Sequence, residues 1–190
     1  MSRLRVFHDT NGGEAVKTTS QHEEIARELR AVGVRFERWE ASKPIAPGAS
    51  QDEVLAAYHD DIERLKREEG YQAVDVVSLN PDNPDRAAFR AKFLNEHTHA
   101  EDEVRFFVAG RGLFTLHLGE EVYEVLCERG DLIGVPGGTR HWFDMSEAPY
   151  FVAIRLFTNP AGWVANFTGS DIAGRFPRLQ AASPAAPVAP

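Results

Sequence analysis

The chain has 190 residues, of which 43% are hydrophobic and 26% charged, and this length and balance fit one globular domain. Its formal net charge is −8 without any run of lysine or arginine, so we expect no nucleic-acid partner, because phosphate contacts need a basic surface. The single cysteine, Cys127, excludes an internal disulfide and a cysteine-based zinc site. Because the sequence shows neither a bilayer-spanning apolar stretch nor the apolar segment of a signal peptide, we predict a cytoplasmic protein with no membrane partner.

The N-terminal part mixes helical and strand patterns. The stretch RLRVFHD predicts a short strand that ends at the turn signal NGG. Ser20 predicts the N-cap of a capping box, and the helix QHEEIARELRAVG follows it. VRFERWE alternates as a strand does. A second, continuous helix is predicted to begin at Ser50 or Asp52 and to end at Gly70.

From residue 71 the pattern changes to short apolar runs separated by turn residues. Strands at this spacing predict an antiparallel sandwich or barrel. The predicted strands are YQAVDVVSL, VRFFVAG, GLFTLHLG, EVYEVLCE, DLIGVP, HWFDM and YFVAIRLFT. We therefore predict one mainly β domain over residues 1–180, with a mixed α/β part at 1–70 and a barrel core at 71–170. The Ala/Pro-rich residues 181–190 predict a disordered tail.

The residues that indicate chemistry cluster in the stretch NEHTHAEDEVRFF. His97 and His99 are two residues apart, so an extended chain places both rings on one face. A tight bend after His99 would return the Glu103 carboxylate to that face. Two imidazoles and one carboxylate suit a borderline divalent metal such as Fe, Ni, Co, Mn or Zn. His141, after a Pro-Gly-Gly turn, offers a fourth ligand; the competing interpretation is a solvated surface loop.

The presence of two motifs, each with a fixed spacing, argues against a chance cluster of these candidate metal ligands. They are His97-x-His99-x3-Glu103-x6-Gly110 and Gly130-x5-Pro136-x-Gly138-x2-His141. Together they resemble the two motifs of the cupin superfamily. This resemblance implies a cupin-type antiparallel β-barrel (a double-stranded β-helix, or jelly roll) with an N-terminal α/β elaboration.

Longer stretches narrow the resemblance to one family. HTHAEDEVRFFVAGRGLFTLHLGEEVYEVLC, DLIGVPGGTRHWFDM and FVAIRLFTNPAGWVANFTG resemble the acireductone dioxygenase family of methionine salvage, over about residues 70–170. The resemblance implies one Fe²⁺ or Ni²⁺ per chain, held by His97, His99, Glu103 and His141. It implies a reaction between dioxygen and the acireductone 1,2-dihydroxy-3-keto-5-methylthiopentene. The iron form of the family gives 4-methylthio-2-oxobutanoate and formate, and the nickel form gives methylthiopropanoate, formate and carbon monoxide.

The anionic substrate that the resemblance implies needs local positive charge in this acidic chain. Arg105 lies two residues after Glu103, so on a strand it faces the same side. The family suggests that Arg105 stabilises the substrate dianion, whereas the alternative is a surface ion pair. Arg155, flanked by Ile154 and Leu156, either faces solvent or lines the barrel and binds substrate.

Further side chains beside the ligands are candidates for roles in the site. Asp102 and Glu96 are predicted catalytic residues, which could accept the free ring N–H of a ligand histidine; the alternative is a plain solvated acid. Phe93, Phe143 and Trp163 match aromatic positions near the metal in the family, so they are predicted to contact the substrate's methylthio tail, or else simply to pack.

Two other functions remain open at this point. One keeps the cupin fold and the metal but catalyses a different reaction, such as an isomerisation or another small-molecule dioxygenation. The other is a non-catalytic cupin that binds a ligand, against which four intact metal ligands argue. We expect a monomer whose partners are the acireductone and dioxygen.

Overall fold

The computed structural model describes residues 1–159 and 164–181 and shows a mainly β architecture in which all strand pairs are antiparallel. The strands in the described residues are β1 (Arg3–His8), β2 (Lys17–Thr19), β3 (Arg35–Arg38), β4 (Ala73–Leu79), β5 (His97–Thr98), β6 (Glu103–Leu118), β7 (Glu121–Glu128), β8 (Asp131–Val135), β9 (Arg140–Asp144), β10 (Phe151–Phe157) and β11 (Asn166–Phe167). The helices are α1 (His22–Ala31), α2 (Gln51–Ala57), α3 (His59–Glu69) and α4 (Arg86–Phe93), with a 3-10 helix at Ile172–Arg175.

Two sheets share the long strand β6. Its C-terminal half lies in a first sheet of order β11-β5-β9-β6-β7-β1-β2. Its N-terminal half lies in a second sheet of order β4-β10-β6-β8-β3. The hydrogen-bonded pairing of the described strands does not run round into a closed ring. The predicted mainly β, antiparallel architecture is therefore present as two sheets joined through one bent strand.

A bulge in β6 lets both of its halves face the same interior. The pairing of β6 with β10 skips one residue between Phe107 and Ala109, and a skipped residue reverses which side chains face inward. Gly110 follows with φ of 64°, where a Cβ would meet the carbonyl of Tyr150. Phe107 and Phe114 consequently belong to one buried cluster between the sheets, although they lie an odd number of positions, seven, apart on the strand.

Each sheet also has its outer face covered. Helices α2 and α3 place Val54, Ile62 and Leu65 on the outer face of the second sheet. The 3-10 helix packs Ile172 and Ala173 against the outer face of the first. Burial on both faces explains why β10 reads as a nearly continuous apolar run.

The helix boundaries correct two predictions. Ser20 does not cap α1, which begins at His22 after Gln21; the hydroxyl of Thr19 instead bonds the Gln21 amide and the Glu24 carboxylate. The predicted second helix is two helices, because the chain bends at Tyr58, whose side chain is buried and whose hydroxyl donates to the Lys43 carbonyl.

Two further features were missed or divided wrongly. Helix α4 lies where no element was predicted, and strands VRFFVAG and GLFTLHLG are one strand, β6, that bends at its bulge. The Ser50 cap is present, with its side chain accepting from the Glu53 amide, and Gly70 ends α3 with φ of 74° as predicted. The predicted tail at 181–190 lies outside the described residues except for Ala181.

Candidate metal centre

Three histidine rings meet at one point between the sheets. His97 of β5 pairs directly with His141 of β9, and His99 lies two residues after His97, just beyond the end of β5. The ring centroids lie 4.5 Å apart for His97 and His141 and 5.0 Å apart for each pair with His99. One nitrogen of each ring lies within 4.8 Å of the others, and all three residues are buried. The histidines of the two motifs, more than forty positions apart in the sequence, are therefore in contact as predicted.

Main-chain carbonyls fix the tautomer of each ring. The Nδ1 atoms of the three histidines lie near the carbonyl oxygens of Asn95 (2.7 Å), Val164 (3.2 Å) and Thr139 (2.8 Å). A carbonyl only accepts, so each Nδ1 must carry the proton and donate it. The Nε2 atoms are then left with lone pairs, which is the form in which imidazole binds a metal.

The rings are also held neutral. Burial lowers the pKa of His141 to about 3, and burial lowers the pKa values of His97 and His99 as well. Each of these three buried, neutral imidazoles directs one ring nitrogen towards the same point between the sheets. Such a set fits a cation, because a metal needs deprotonated nitrogen ligands.

Glu103 adds a carboxylate oxygen to the same point. Its Oε2 lies 3.4 Å from His99 Nε2, is buried, and has no hydrogen-bond partner among the described residues. Burial by itself would raise the pKa of Glu103, but the charges of Arg105 and Arg155 outweigh it and lower that pKa to about 2. An ionised, buried oxygen without a donor is an orphaned acceptor, and a divalent cation would satisfy it.

Arg105 holds the other oxygen of this carboxylate. Its Nη2 and Nε donate to Glu103 Oε1 at 2.5 and 3.1 Å. The guanidinium carbon lies 4.9 Å from the Phe114 ring centroid and 4.5 Å from that of Phe143, and the residue is 4% exposed. Arg105 is therefore an interior cation rather than the surface ion pair that was the alternative.

Residues 3–165 match the sequence model of the ARD/ARD' family. The chain belongs to this family. An acireductone dioxygenase of Pseudomonas aeruginosa (strain UCBPP-PA14) is 67% identical over 180 residues, 95% of this chain and 99% of the relative. That of Stenotrophomonas maltophilia (strain K279a) is 61% identical over 178 residues, 94% of this chain and 96% of the relative.

A solved relative agrees with the fold and with metal binding. The acireductone dioxygenase from Bacillus anthracis, solved with a cadmium ion in its active centre, is 31% identical to this chain. The match covers 88% of this chain and 98% of the other, with a TM-score of 0.76. The cupin-type fold predicted from the sequence is thereby confirmed, and the three histidines form a metal-binding site.

The Arg155 side chain lines the interior between the sheets and does not face solvent, which were the two positions predicted for it. Its neighbours Ile154 and Leu156 face α2 and α3, so strand alternation turns Arg155 inward, directly opposite Arg105. Its Nε and Nη2 donate to the two carboxylate oxygens of Asp75 on β4 at 2.7 and 2.6 Å. Asp75 of β4, Arg155 of β10 and Arg105 of β6 therefore lie side by side across three paired strands. Two guanidinium groups against one carboxylate leave an excess of positive charge beside Glu103.

Asp102 does not accept a ring N–H from a ligand histidine, contrary to the sequence-based expectation. It is exposed, and its Oδ1 accepts from the amide of Gly137 at 2.7 Å. The next amide, that of Gly138, donates to the carbonyl of His99 at 2.7 Å. These two bonds tie the turn before His141 to the loop between His99 and Glu103, so Asp102 joins the two ligand-bearing motifs.

Glu96 also lacks the predicted contact with a ligand ring. It is 2% exposed; its Oε2 lies 2.6 Å from His117 Nδ1, and its Oε1 accepts from Thr168 Oγ1 at 2.8 Å. The Thr168 amide donates to the Glu96 carbonyl as well, so Glu96 fastens β11 beside β5. His117 lies 21 positions from Glu96 in the sequence, and its own sequence neighbours contain no signal for this contact.

The three predicted aromatic residues fall in different surroundings. Phe143 lies beside Arg105 and is 2% exposed, whereas Phe93 ends α4 and packs in the interior cluster. Trp163 lies outside the described residues. Sequence reasoning missed Phe114, whose ring stacks on His141 at 5.4 Å between centroids and also contacts the Arg105 guanidinium.

No helix in the described part of the chain combines the length and the apolar character that crossing a bilayer requires.

Proposed function

We propose that this chain is a metal-dependent acireductone dioxygenase, which cleaves 1,2-dihydroxy-3-keto-5-methylthiopentene with dioxygen in methionine salvage. The observation that carries the proposal is the convergence of three buried, neutral imidazoles on an ionised carboxylate whose second oxygen is held by a buried arginine. Relatives named acireductone dioxygenase that match at 67% identity over nearly the whole chain support it.

We assign the metal ligands to His97, His99, Glu103 and His141. Three nitrogens and one carboxylate oxygen suit a borderline divalent ion, and we propose one Fe²⁺ or Ni²⁺ per chain. When bound, the ion supplies a Lewis acid and a template for the substrate oxygens, neither of which demands a change of oxidation state. The family resemblance predicts 4-methylthio-2-oxobutanoate and formate from the iron form, and methylthiopropanoate, formate and carbon monoxide from the nickel form.

We assign to Arg105 the role of stabilising the negative charge of the substrate. A buried guanidinium close to an ionisable oxygen stabilises the negatively charged form of that oxygen, and Arg105 already has this effect on the Glu103 carboxylate. The same field would lower the pKa of a reductone hydroxyl bound beside it and so favour the dianion that reacts with dioxygen. The rings of Phe114 and Phe143 keep the guanidinium in place and exclude water from it.

The other predicted site residues have supporting roles in the proposal. Arg155 adds positive charge across the strand from Arg105, while Phe93 and Phe143, together with Trp163, are the proposed apolar wall for the methylthio tail. Predicted catalytic roles of Asp102 and Glu96 become positioning roles, because each binds a segment that carries or covers a ligand. A monomer and a cytoplasmic location stay predictions.

The test is product analysis with iron-loaded and nickel-loaded protein side by side. A desmethylthio reductone is supplied under air, its ultraviolet absorbance is followed, and formate and carbon monoxide are quantified. We expect consumption with formate from both forms and carbon monoxide from the nickel form only. Protein carrying Glu103→Gln, which keeps the side-chain shape but removes the charge, serves as the matched control.

Two outcomes would contradict the proposal, and each would favour a different function. Consumption no faster than with metal-free protein, in the presence of a full metal equivalent, would favour another metal-dependent cupin enzyme. Less than about a tenth of a metal equivalent in protein purified without chelators would favour a non-catalytic cupin, since the ligand set would then have no occupant.

A further inference from the structure

A positively charged cavity lies on the opposite side of the first sheet from the metal-binding site. Its volume is about 380 Å³, and it lies between the sheet and the C-terminal segment 177–180. Leu113 and Leu126, paired across β6 and β7, form part of its floor. Their neighbour Phe114 faces the interior and stacks on His141, so strand alternation turns this floor outward.

Four arginines line this cavity. They are Arg3 and Arg5 of β1, Arg111 of β6 and Arg178 of the C-terminal segment. Strands and a terminal segment far apart in sequence thus bring four cations together in a chain whose formal net charge is −8. Such convergence needs a compensating negative charge, because like charges at close range repel.

Among the described residues, a single carboxylate lines the cavity, and it cannot compensate four cations. Glu124 is buried and accepts from Arg5 Nε and Nη2 at 2.7 Å each, while Arg3 Nη2 lies 3.5 Å from it. Glu128, directly across the ladder from Arg111, instead pairs with the N-terminal amine of Met1 at 2.5 Å. The lining described here therefore carries three more positive charges than negative ones.

Two guanidinium groups have nitrogens without acceptors. The Nε of Arg3 and the Nη1 of Arg178 are buried and have no hydrogen-bond partner among the described residues. Arg178 also has no ion pair there; Asp144, the acid that attracts it, is held by Arg90 at 2.8 and 3.1 Å. Buried donors without acceptors are costly, and an anion that supplies several oxygens would remove that cost.

We propose that this cavity binds a small, multiply charged oxyanion of the phosphate or sulfate type, held between β1 and the C-terminal segment. Guanidinium groups bind such anions through paired N–H···O bonds, and several groups around one cavity select for charge above one. The volume exceeds what a free ion fills, so a phosphate group on a small organic molecule fits the same chemistry. None of the proposed metal ligands lines the cavity, so this site is independent of the proposed reaction.

The experiment measures anion binding to the full-length, metal-loaded protein by calorimetry and by thermal melting. The probes are inorganic phosphate, glycerol 3-phosphate and acetate, each at the same ionic strength set with sodium chloride. Because phosphate could also reach a bound metal, every titration is repeated on metal-free protein. The variants are Arg178→Gln and Arg3→Gln, with Arg67→Gln on exposed α3 as the matched control for the loss of one surface charge.

We expect phosphate or glycerol 3-phosphate to bind with a Kd below about 1 mM and to raise the Tm by about 3 °C at ten times that concentration. Tighter binding of the ester than of phosphate would assign the site to a phosphorylated metabolite, and the reverse to the free ion. Arg178→Gln and Arg3→Gln each weaken binding at least about tenfold, Arg67→Gln leaves it unchanged, and metal removal leaves it unchanged. Far-UV circular dichroism verifies that each variant is folded.

Three results overturn the proposal. The first is equal stabilisation by acetate and phosphate, which indicates general ionic effects. The second is binding that survives both arginine substitutions or disappears with the metal. The third is binding seen only after removal of residues 182–190, which would assign the cavity to that segment of the chain itself.

Discussion

Replacing Arg105 by methionine should destabilise the metal-free protein strongly and the metal-loaded protein much less. Methionine keeps the apolar stem between Phe114 and Phe143 but removes both hydrogen bonds to Glu103. The buried carboxylate then loses the largest positive charge acting on it. A bound divalent cation would supply positive charge at the same carboxylate, so metal should mask much of the loss.

The size of the effect follows from the pKa of Glu103, which is about 2 against an ordinary value of 4.5. At about 1.4 kcal/mol per pH unit this difference corresponds to roughly 3 kcal/mol at neutral pH, similar to the 3–5 kcal/mol typical of breaking a buried ion pair. A depressed carboxyl pKa stabilises above the unfolded value and loses its effect as the pH falls towards the folded one. The difference between wild type and Arg105→Met should therefore be full at pH 7 and shrink between about pH 4.5 and 2.

The assay is urea unfolding of metal-free and metal-loaded protein, with a double-mutant cycle on Glu103→Gln. In the Gln background the Arg105 substitution should cost less than about 1 kcal/mol, because position 103 then carries no buried carboxylate charge for Arg105 to compensate. We also expect Arg105→Met to retain bound metal and to lose most turnover of the reductone. A loss of about 3 kcal/mol that is unaffected by metal and by Glu103→Gln would show that packing, and not charge, is what Arg105 contributes.

Three simpler changes probe the rest of the site. His141→Ala should weaken metal binding by at least about 100-fold, measured by competition with a chelating dye; unchanged affinity would remove it from the ligand set. Gly137→Ala should cost about 1–3 kcal/mol and loosen metal binding, since its Cβ would lie 2.6 Å from the carbonyl oxygen of Ala100, whereas Gly174→Ala meets nothing within 4 Å and should be neutral. Removing residues 182–190 should leave the Tm and turnover unchanged, and a clear fall in either contradicts the predicted disordered tail.

Part of the proposed ligand set was predictable because the spacing of His97, His99 and Glu103 is local. The period of two along a strand places His97 and His99 on one face, and the same period turns Arg105 towards the side of Glu103. His141 needed a second motif rather than geometry, since nothing in a single sequence states which distant strand will pair with β5. The match to family motifs supplied that link, and the direct pairing of His97 with His141 bears it out.

Roles that depend on partners far along the chain were predicted poorly. Glu96 and Asp102 were expected to orient ligand rings because they adjoin them in sequence, yet three main-chain carbonyls do this instead. Every residue carries the same carbonyl group, so the sequence contains no signal for which one faces a ring. The two acids bind a neighbouring strand and a turn, and these partners exist only once the sheets have formed.

By itself, the sequence determined the alternation of apolar residues, the spacing of the ligands and the charge beside them, since each depends on neighbours a few residues apart. Only the tertiary structure decided that Arg155 faces inward, that the bulge near Gly110 turns Phe114 towards Arg105, and that four arginines meet behind the first sheet. These outcomes depend on strand register and on which faces are covered. Register and coverage arise from the packing of the whole chain, because a shift of one residue exchanges the buried and exposed faces of a strand.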